Sequence, residues 1–232
     1  MKIYDELPQH LEDGTANPDW LSLRAGRITG SDFHQYMGLA KKDELSDTAE
    51  SNLYKKVLES LGYSFESYRS SAMEDGNENE PLARADYIAE TFNDVQEVAF
   101  VDWGKLRAGC SPDGVIYTEK LSLGFQNMSY EEFEQMITTP IKKIIEIKCP
   151  EIKNYLKMAK GKIPPVYMTQ MQYNMLITGA KSCDFVVWHP DMRLSVQEVK
   201  ADANYQKDII TVLEKLNARY DAILEEIKEF RK

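Results

Sequence analysis

The apolar positions of this chain recur with two different spacings, and each spacing predicts one kind of element. Where apolar residues lie three or four positions apart, we predict helices at residues 19–27, 31–39, 48–61, 79–90, 151–160, 167–178 and 202–232. Where β-branched and aromatic residues cluster between turn residues, we predict strands at residues 95–101, 106–108, 115–117, 142–148, 183–189 and 194–199. This order predicts an α/β fold in which a mixed central β-sheet is flanked by helices.

One domain is the simplest organisation of this pattern. The chain has 232 residues and 43% of them are hydrophobic, which is enough to bury a sizeable core. We predict a single domain over 1–232, with an N-terminal helical part (1–70), a central core (71–200) and a C-terminal helix (202–232). The apolar stripe of that last helix would cover either the core or a contact between subunits. Residues 120–139 are predicted as an inserted loop with a short helix.

Two charged residues interrupt the apolar run IIEIKCP at 144–150. In a strand, Glu146 and Lys148 point to one face and Ile145 and Ile147 to the other. Burying charge is costly unless the charge is paired or holds a metal. Metal-assisted phosphodiester cleavage would account for the pair, because it requires carboxylates to hold Mg²⁺, a further oxygen ligand, and a cation near the attacking water.

A second acidic residue lies in the turn sequence SPDG at 111–114. Asp113 precedes Glu146 by 33 residues, which is enough chain to bring the strand 115–117 beside the Glu146 strand. Taken alone, Pro-Asp-Gly is usually only a turn, and Glu-x-Lys on a strand is usually a surface pair. Their order, together with the apolar character of IIEIK, resembles the PD-(D/E)xK nuclease superfamily.

The resemblance extends over five segments in order and is closest to the phage lambda exonuclease and YqaJ-type viral recombinase family. The segments are WLSLRAGRITGSDF at 20–33, GNENEPLAR at 76–84, CSPDG at 110–114, EIKCP at 146–150 and YMTQMQYNM at 167–175. This resemblance implies a restriction-endonuclease-like core and a Mg²⁺-dependent 5′-to-3′ exonuclease, with Mn²⁺ as a substitute metal. Such an enzyme degrades one strand of duplex DNA from a 5′-phosphorylated end and leaves a 3′ overhang for recombination by strand annealing. The resemblance also implies a ring-shaped trimer that works with a single-strand annealing protein.

The resemblance also assigns the residues of the reaction centre, within a catalytic core at 71–200. Asp113 and Glu146, with the main-chain carbonyl of Ile147, match the metal ligands, and Lys148 matches the catalytic lysine. Glu80 matches the further acidic residue of the site. Without the resemblance, Glu80 is equally an acid in the first turn of a helix, where the helix dipole favours it.

A pocket for the terminal 5′-phosphate is implied by four further matches, which are Arg24, Ser31, Ser111 and Gln170. Arginine offers a planar fork of donors that suits phosphate, and helix N-terminal amides near Thr29–Ser31 attract anions. Three of these residues also have an ordinary structural interpretation. Arg24 fits a surface arginine on an amphipathic helix, Ser31 an N-cap, and Gln170 a helix that packs into the core.

Net charge argues against the binding of a polyanion unless basic residues are concentrated locally. The chain has 28 basic and 38 acidic residues, for a formal charge of −10. Two basic regions would supply a local field, unless they are only solvated surface. They are Lys142, Lys143 and Lys148 on the strand predicted at 142–148, and Lys153, Lys157, Lys160 and Lys162 just after it.

Other features of the sequence exclude several classes of protein. No apolar run approaches the ~20 residues that span a bilayer, and the N-terminus lacks a basic stretch followed by an apolar core. We therefore expect a cytoplasmic protein without a membrane association, and the resemblance to the viral recombinase family implies a phage- or prophage-type protein. Three widely spaced cysteines argue against a disulfide framework or a zinc site, and the absence of a Gly-x4-Gly-Lys-Ser/Thr sequence argues against ATP.

Two rival functions share parts of this pattern. A structure- or site-specific endonuclease could use the same core, but the end-pocket residues Arg24, Ser31 and Gln170 discriminate against it. A non-catalytic DNA-end-binding recombination scaffold would not need the intact set of Asp113, Glu146 and Lys148.

Overall fold

The structure is a computed structural model that describes residues 1–5, 7–9, 11, 15–65, 71–118 and 141–231, and the side chains of these residues except those of 71–77. The helices of this part are α1 (Pro18–Arg24), α2 (Gly30–Phe33), α3 (Asp47–Ser60), α4 (Ser71–Thr91), α5 (Ile152–Lys160), α6 (Pro165–Thr178) and α7 (Ala203–Phe230), and a 3₁₀ helix covers His34–Ala40. The strands are β1 (Lys2–Tyr4), β2 (Phe100–Asp102), β3 (Gly109–Cys110), β4 (Gly114–Tyr117), β5 (Ile141–Lys148), β6 (Ser182–Val187) and β7 (Ser195–Lys200).

The strands form two sheets. A small antiparallel sheet has the order β1-β2-β3, and a larger sheet has the order β4-β5-β6-β7. In the larger sheet β5 pairs in parallel with β6, while β4 and β7 run antiparallel to their neighbours. The predicted α/β fold with a mixed sheet flanked by helices is thus confirmed.

Strand β5 lies in the interior of the larger sheet and is covered on both faces. On one face, Ile144 joins the main core, to which α6 contributes Met171 and Met175. On the other face, Ile145 and Ile147 pack with residues of α4 such as Ala83 and Tyr87. A strand that is covered on both sides reads as a nearly continuous apolar run, which explains the sequence of IIEIK.

Helix α7 covers the core, which answers the question that its apolar stripe left open. Six residues of the predicted stripe are buried, namely Ile209, Val212, Leu213, Leu216, Tyr220 and Ile223. The helix begins where the carboxylate of Asp202 accepts hydrogen bonds from the amides of Asn204 and Tyr205 at 2.9 and 3.0 Å.

The prediction was wrong in detail around the small sheet. Strand β1 was not predicted, and the predicted strand at 106–108 is instead a turn at Leu106 and Arg107, followed by a single bridge from Ala108 to Ile28. Leu106 and Arg107 have φ values of 51° and 45°, which a strand does not allow. The side-chain amide of Asn217 on α7 donates to the carbonyl of Leu106 over 2.7 Å, so a contact between distant segments stabilises this turn.

Helix α4 begins earlier than the predicted helix at 79–90, and Pro81 lies within it. The predicted insertion at 120–139 lies outside the described residues. Among the residues that the structure describes, no helix combines the length and the apolar character needed to cross a membrane.

Candidate active site

The charged pair of β5 occupies one face of the strand. Glu146 is fully buried, the Lys148 side chain is 23% exposed, and Glu146 Oε1 lies 2.5 Å from Lys148 Nζ. Strand alternation places both on the α6 side of the sheet, away from Ile145 and Ile147. The ammonium of Lys148 also lies 5.1 Å from the centre of the Tyr167 ring, near the start of α6. The lysine is therefore held between a carboxylate and an aromatic face.

Asp113 reaches β5 from the turn that precedes β4. Gly114 pairs with Ile145 in the antiparallel ladder, and this register brings Asp113 beside the next part of β5. Asp113 Oδ2 accepts a hydrogen bond from the amide of Ile147 over 2.6 Å. The sequence-predicted carboxylate thus lies against the main chain of the residue whose carbonyl is the predicted third ligand.

Glu80 is brought to the same region by α4, and Arg84 connects it to Asp113. The Arg84 side chain is mostly buried; its Nη2 lies 2.5 Å from Glu80 Oε1 and its Nε donates to the carbonyl of Asp113 over 2.9 Å. Its remaining terminal nitrogen, Nη1, lies 2.7 Å from the carboxylate of Glu97. All three guanidinium nitrogens are engaged, so Arg84 links α4 to the turn that carries Asp113. The sequence reasoning did not identify Arg84, because a Glu-x3-Arg spacing is also typical of an ordinary pair on a helix surface.

Helix α4 is positioned by hydrogen bonds to the far face of the sheet, which is the face opposite α6. Tyr87 Oη donates to the buried carboxylate of Asp184 on β6 over 2.6 Å. Trp188 Nε1 donates to Asp86 Oδ2 over the same distance. Lys143 lies on this far face as well, 2.8 Å from Asp184 and 3.0 Å from Glu198. The charge of Lys143 is therefore paired with protein carboxylates. From the sequence, Lys143 had been expected to belong to a basic region that attracts DNA.

The carboxylates of the site are destabilised as anions. Burial raises the pKa of Glu80 to about 8, and the charge of Asp113 adds to this effect against the opposing charges of Arg84 and Lys148. Burial likewise raises the pKa of Glu146 and of Asp113. For Lys148, burial lowers the pKa, but the charges of Glu146 and Asp113 outweigh it and the ammonium form is favoured. The anionic forms of these carboxylates are therefore disfavoured when no cation is bound, and a bound cation would stabilise them.

The donor set fits a hard divalent cation. Carboxylate and carbonyl oxygens are the ligands that Mg²⁺ and Mn²⁺ take in proteins. No three His, Cys, Asp or Glu side chains converge closely enough to hold a metal by themselves anywhere in the described part of the chain. A set of two carboxylates, Asp113 and Glu146, completed by the carbonyl of Ile147 is consistent with that observation.

Arg24 and Ser111 form a second polar centre next to the carboxylates. Arg24 Nη1 donates to Ser111 Oγ over 2.8 Å, and Ser111 Oγ donates to the carbonyl of Ala99 over 2.7 Å. The guanidinium also lies 4.6 Å from the centre of the Trp20 ring. Ser111 is two residues before Asp113, so the turn carries one residue of each centre. Burial lowers the pKa of Arg24, and the negative charge of Asp32 partly offsets this effect.

Ser31 and Gln170 lie on elements that border the same region. Thr29 occupies the N-cap position of α2 and Ser31 lies inside the helix, so the N-cap interpretation of Ser31 was wrong. The hydroxyls of Thr29 and Ser31 are 3.4 Å apart. Gln170 lies on α6 and is half-buried, and its side chain takes part in none of the side-chain hydrogen bonds found among the described residues. Within the described part of the chain, no side-chain hydrogen bond joins Ser31 or Gln170 to Arg24 or Ser111.

Asn174 connects these elements and was not identified from the sequence. It lies one turn after Gln170 on α6 and is 2% exposed. Its Nδ2 donates to Glu146 Oε2 at 3.5 Å, a long contact. A Cβ on Gly30 would lie 2.4 Å from Asn174 Oδ1, so α2 can approach α6 this closely only because residue 30 is glycine. The spacing from Gln170 was the only signal in the sequence, and it also fits a core helix.

Comparisons with solved structures identify the class of protein. LHK-Exo, an alkaline exonuclease from Laribacter hongkongensis, is 28% identical to this chain with a TM-score of 0.73, and the match covers 92% of this chain and 97% of that one. The same protein in complex with dAMP matches with 27% identity over the same shares and with the same TM-score. A phage-related exonuclease from Haemophilus somnus 129PT is 17% identical with a TM-score of 0.61, covering 87% of this chain and 96% of that one, and supports the fold alone. The fold and the buried carboxylate and lysine cluster thus define a nuclease of the PD-(D/E)xK type.

A family model narrows this class. The YqaJ-like viral recombinase domain matches residues 19–181, which is more than half of the chain. The chain belongs to this family of phage-type recombination nucleases. No curated protein sequence matches it significantly.

Proposed function

We propose that this protein is a Mg²⁺-dependent exonuclease that degrades one strand of linear duplex DNA in the 5′-to-3′ direction. It would start from a 5′-phosphorylated end and leave a 3′ overhang for recombination by strand annealing. The observation that carries this proposal is the turn 111–114. That turn brings Ser111, paired with Arg24, within two residues of Asp113, which is bonded to the strand of Glu146 and Lys148.

The residues of the reaction centre have separable tasks. Asp113, Glu146 and the carbonyl of Ile147 would hold Mg²⁺. When bound, the ion supplies Lewis-acid polarisation of the scissile phosphate and lowers the pKa of a water. Lys148 carries its positive charge at the site, positions the attacking water and offsets negative charge that develops on the phosphate. Glu80, held by Arg84, contributes further negative charge on the α4 side.

The polar centre of Arg24 and Ser111 would recognise the end of the DNA. A terminal 5′-phosphate carries more negative charge than an internal phosphodiester and offers more acceptor oxygens. Arg24 supplies charged donors, and the hydroxyls of Ser31 and Ser111 and the amide of Gln170 supply neutral ones. Binding the terminal phosphate beside the carboxylates would place the first phosphodiester at the reaction centre, which favours an exonuclease over an endonuclease.

The resemblance to the lambda exonuclease family also supports a proposal for assembly. We infer a ring-shaped trimer that encircles duplex DNA and delivers the 3′ overhang to a single-strand annealing protein. Such a phage- or prophage-encoded enzyme would act in the cytoplasm of a bacterial host. Light scattering coupled to size exclusion gives the mass directly, and a monomer at working concentration would contradict the ring.

The test of the activity uses linear duplex DNA with a 5′-phosphate and a distinct label at each strand end, with Mg²⁺ or with EDTA. Progressive, Mg²⁺-dependent loss of the 5′ label, with closed circular plasmid left intact, is the expected result. Glu146→Gln is the matched control, because it keeps the shape of the side chain and removes its charge. Internal cuts in the plasmid would favour the endonuclease, and binding without cleavage would favour the scaffold.

A further inference from the structure

One face of α5 is exposed along its whole length and carries apolar and basic side chains, and the neutral Asn154 is exposed beside it. At about 3.6 residues per turn, these side chains fall within an arc of about 140°. We call them the α5 arc: Ile152, Lys153, Leu156, Lys157 and Lys160. All five are exposed, including Ile152 at 47% and Leu156 at 53%, and α5 contains no acidic residue.

The inner face of α5 holds the helix in one orientation. Tyr155 is buried and its hydroxyl donates to the carbonyl of Arg193. Gln197 on β7 donates through Nε2 to the carbonyl of Met158 over 3.1 Å, near the end of the helix. Because the helix is bonded to the sheet at these points, it cannot rotate to bury the apolar residues of the arc.

The arc is also a local exception to the charge of the protein. The formal net charge is −10, and many basic side chains of the described part are neutralised by carboxylates, such as Arg27 by Asp102 and Lys215 by Asp43. Lys157 and Lys160 form no ion pair with any residue that the structure describes, and Lys153 contacts Glu151 next to the helix. Lys157 and Lys160 are therefore available to an anion from outside, and Lys153 would exchange its solvent-exposed ion pair with Glu151 for such an anion.

The position of α5 indicates which anion this is. The helix begins at Ile152, four residues after Lys148, so the arc is joined to the reaction centre by a short, proline-containing connection. We propose that the α5 arc binds the sugar-phosphate backbone of the DNA substrate beside the reaction centre. The three lysines contact phosphates, and Ile152 and Leu156 pack against deoxyribose or base surfaces. This inference rests on the proposed function, because it names further contacts of the same substrate.

The salt dependence of DNA affinity distinguishes phosphate contacts made by the arc from a general effect of net charge. The assay measures binding of a fluorescent, 5′-phosphorylated duplex in EDTA, where no cleavage occurs, over a series of salt concentrations. The test variant is Lys153→Gln/Lys157→Gln/Lys160→Gln. The control is Lys200→Gln/Lys207→Gln/Lys228→Gln, which removes the same charge from exposed lysines outside α5. All six are exposed, so both variants should fold, and circular dichroism would verify this.

We expect the α5 variant to bind about tenfold to a hundredfold more weakly at physiological salt. Its slope of log affinity against log salt should fall by about 2.7, since each phosphate contact contributes about 0.9. The control variant should keep the wild-type slope. In a second test, Ile152→Ser/Leu156→Ser should weaken binding several-fold with the slope unchanged, because these contacts release no counterions.

Each contrary result has a distinct meaning. Equal losses in the two lysine variants would overturn the α5 arc, because only net charge would then matter. Wild-type affinity in the α5 variant would also overturn the proposed DNA contacts, and the arc would then be assigned to binding a protein partner. Failure of the wild-type chain to bind any duplex would overturn the proposed function together with the arc, whereas normal degradation by an α5 variant with normal affinity would overturn the arc alone.

Discussion

Replacing Glu80 by glutamine should stabilise the protein in the absence of metal, although it removes a residue of the candidate site. In the folded state the pKa of Glu80 is raised from its ordinary value of 4.5 to about 8, by burial first and by Asp113 second. Between these two pH values the folded protein holds a proton that the unfolded chain has released. Stability therefore falls as pH rises through this window, which is the sign expected for a carboxyl group with a raised pKa.

The magnitude follows from the same shift. Relative to an unperturbed carboxyl group, Glu80 costs about 1 kcal/mol at pH 5 and about 3 kcal/mol at pH 7. Because the side chain is 27% exposed and solvent screens its charge, we expect roughly half of this difference to appear. Glu80→Gln should thus be nearly neutral at about pH 5 and about 1 to 2 kcal/mol more stable than wild type at about pH 7.

Urea unfolding in EDTA at the two pH values measures the effect. Glu97→Gln is the control, because Glu97 contacts the same Arg84 from a position where its side chain is 73% exposed, and it should show no such change with pH. Added Mg²⁺ should stabilise wild type more than Glu80→Gln, since an ion that binds only the folded state adds stability by mass action. Lower stability of Glu80→Gln at both pH values would refute the reasoning and show that the ion pair with Arg84 outweighs the repulsion.

Four further predictions follow from the site and its support. Lys148→Ala should abolish cleavage and leave duplex binding intact, because the lysine acts on the reacting groups; a gel assay and an anisotropy assay separate the two. Removal of the 5′-phosphate should slow wild type far more than Arg24→Ala, measured as the ratio of degradation rates on the two substrates. Arg84→Lys keeps the charge but loses the planar fork, so kcat should fall about tenfold or more and half-maximal activity should require more Mg²⁺. Tyr87→Phe removes a hydroxyl that donates to a buried carboxylate over 2.6 Å and should lower the free energy of unfolding by about 1 to 2 kcal/mol in urea.

These predictions also fail in distinguishable ways. A wild-type cleavage rate in Lys148→Ala would remove the proposed role of the lysine, and equal sensitivity of wild type and Arg24→Ala to the 5′-phosphate would remove the end pocket. Wild-type Mg²⁺ dependence in Arg84→Lys would show that Arg84 supports only the fold. Unchanged unfolding of Tyr87→Phe would mean that other donors satisfy the buried carboxylate.

Strict alternation and strong periodicity made part of this structure predictable. The pairing of Glu146 with Lys148 follows from strand geometry alone, and the long apolar stripe of α7 gave both the element and its buried face. The three-residue β1 was missed, because so short a strand has no periodic pattern and depends on its partner β2. The turn at Leu106 and Arg107 was misread, because it depends on a hydrogen bond from Asn217, which is distant in sequence.

The candidate site was predictable where its chemistry is local and unpredictable where it depends on neighbours in space. Asp113 stood out because it occurs in a turn before a strand, at a suitable distance from Glu146. Arg84 and Asn174 did not stand out, because an arginine on a helix and an asparagine in a methionine-rich helix are ordinary. Only the fold shows that the first bonds to the carbonyl of Asp113 and that the second lies against Glu146.

Asp113 is attached to the protein at two points, and these attachments set the required length of its side chain as well as its charge. Its carboxylate bonds to the amide of Ile147 and its carbonyl to Arg84, so the single methylene of an aspartate spans a fixed gap between a strand and a helix. Glu146, which emerges from the face of the strand, needs the longer side chain to reach the same centre. An exchange of these two acidic residues would leave composition and net charge untouched and yet disperse the cluster. Side-chain length therefore determines which acidic residue fits each position, and aspartate and glutamate are not interchangeable here.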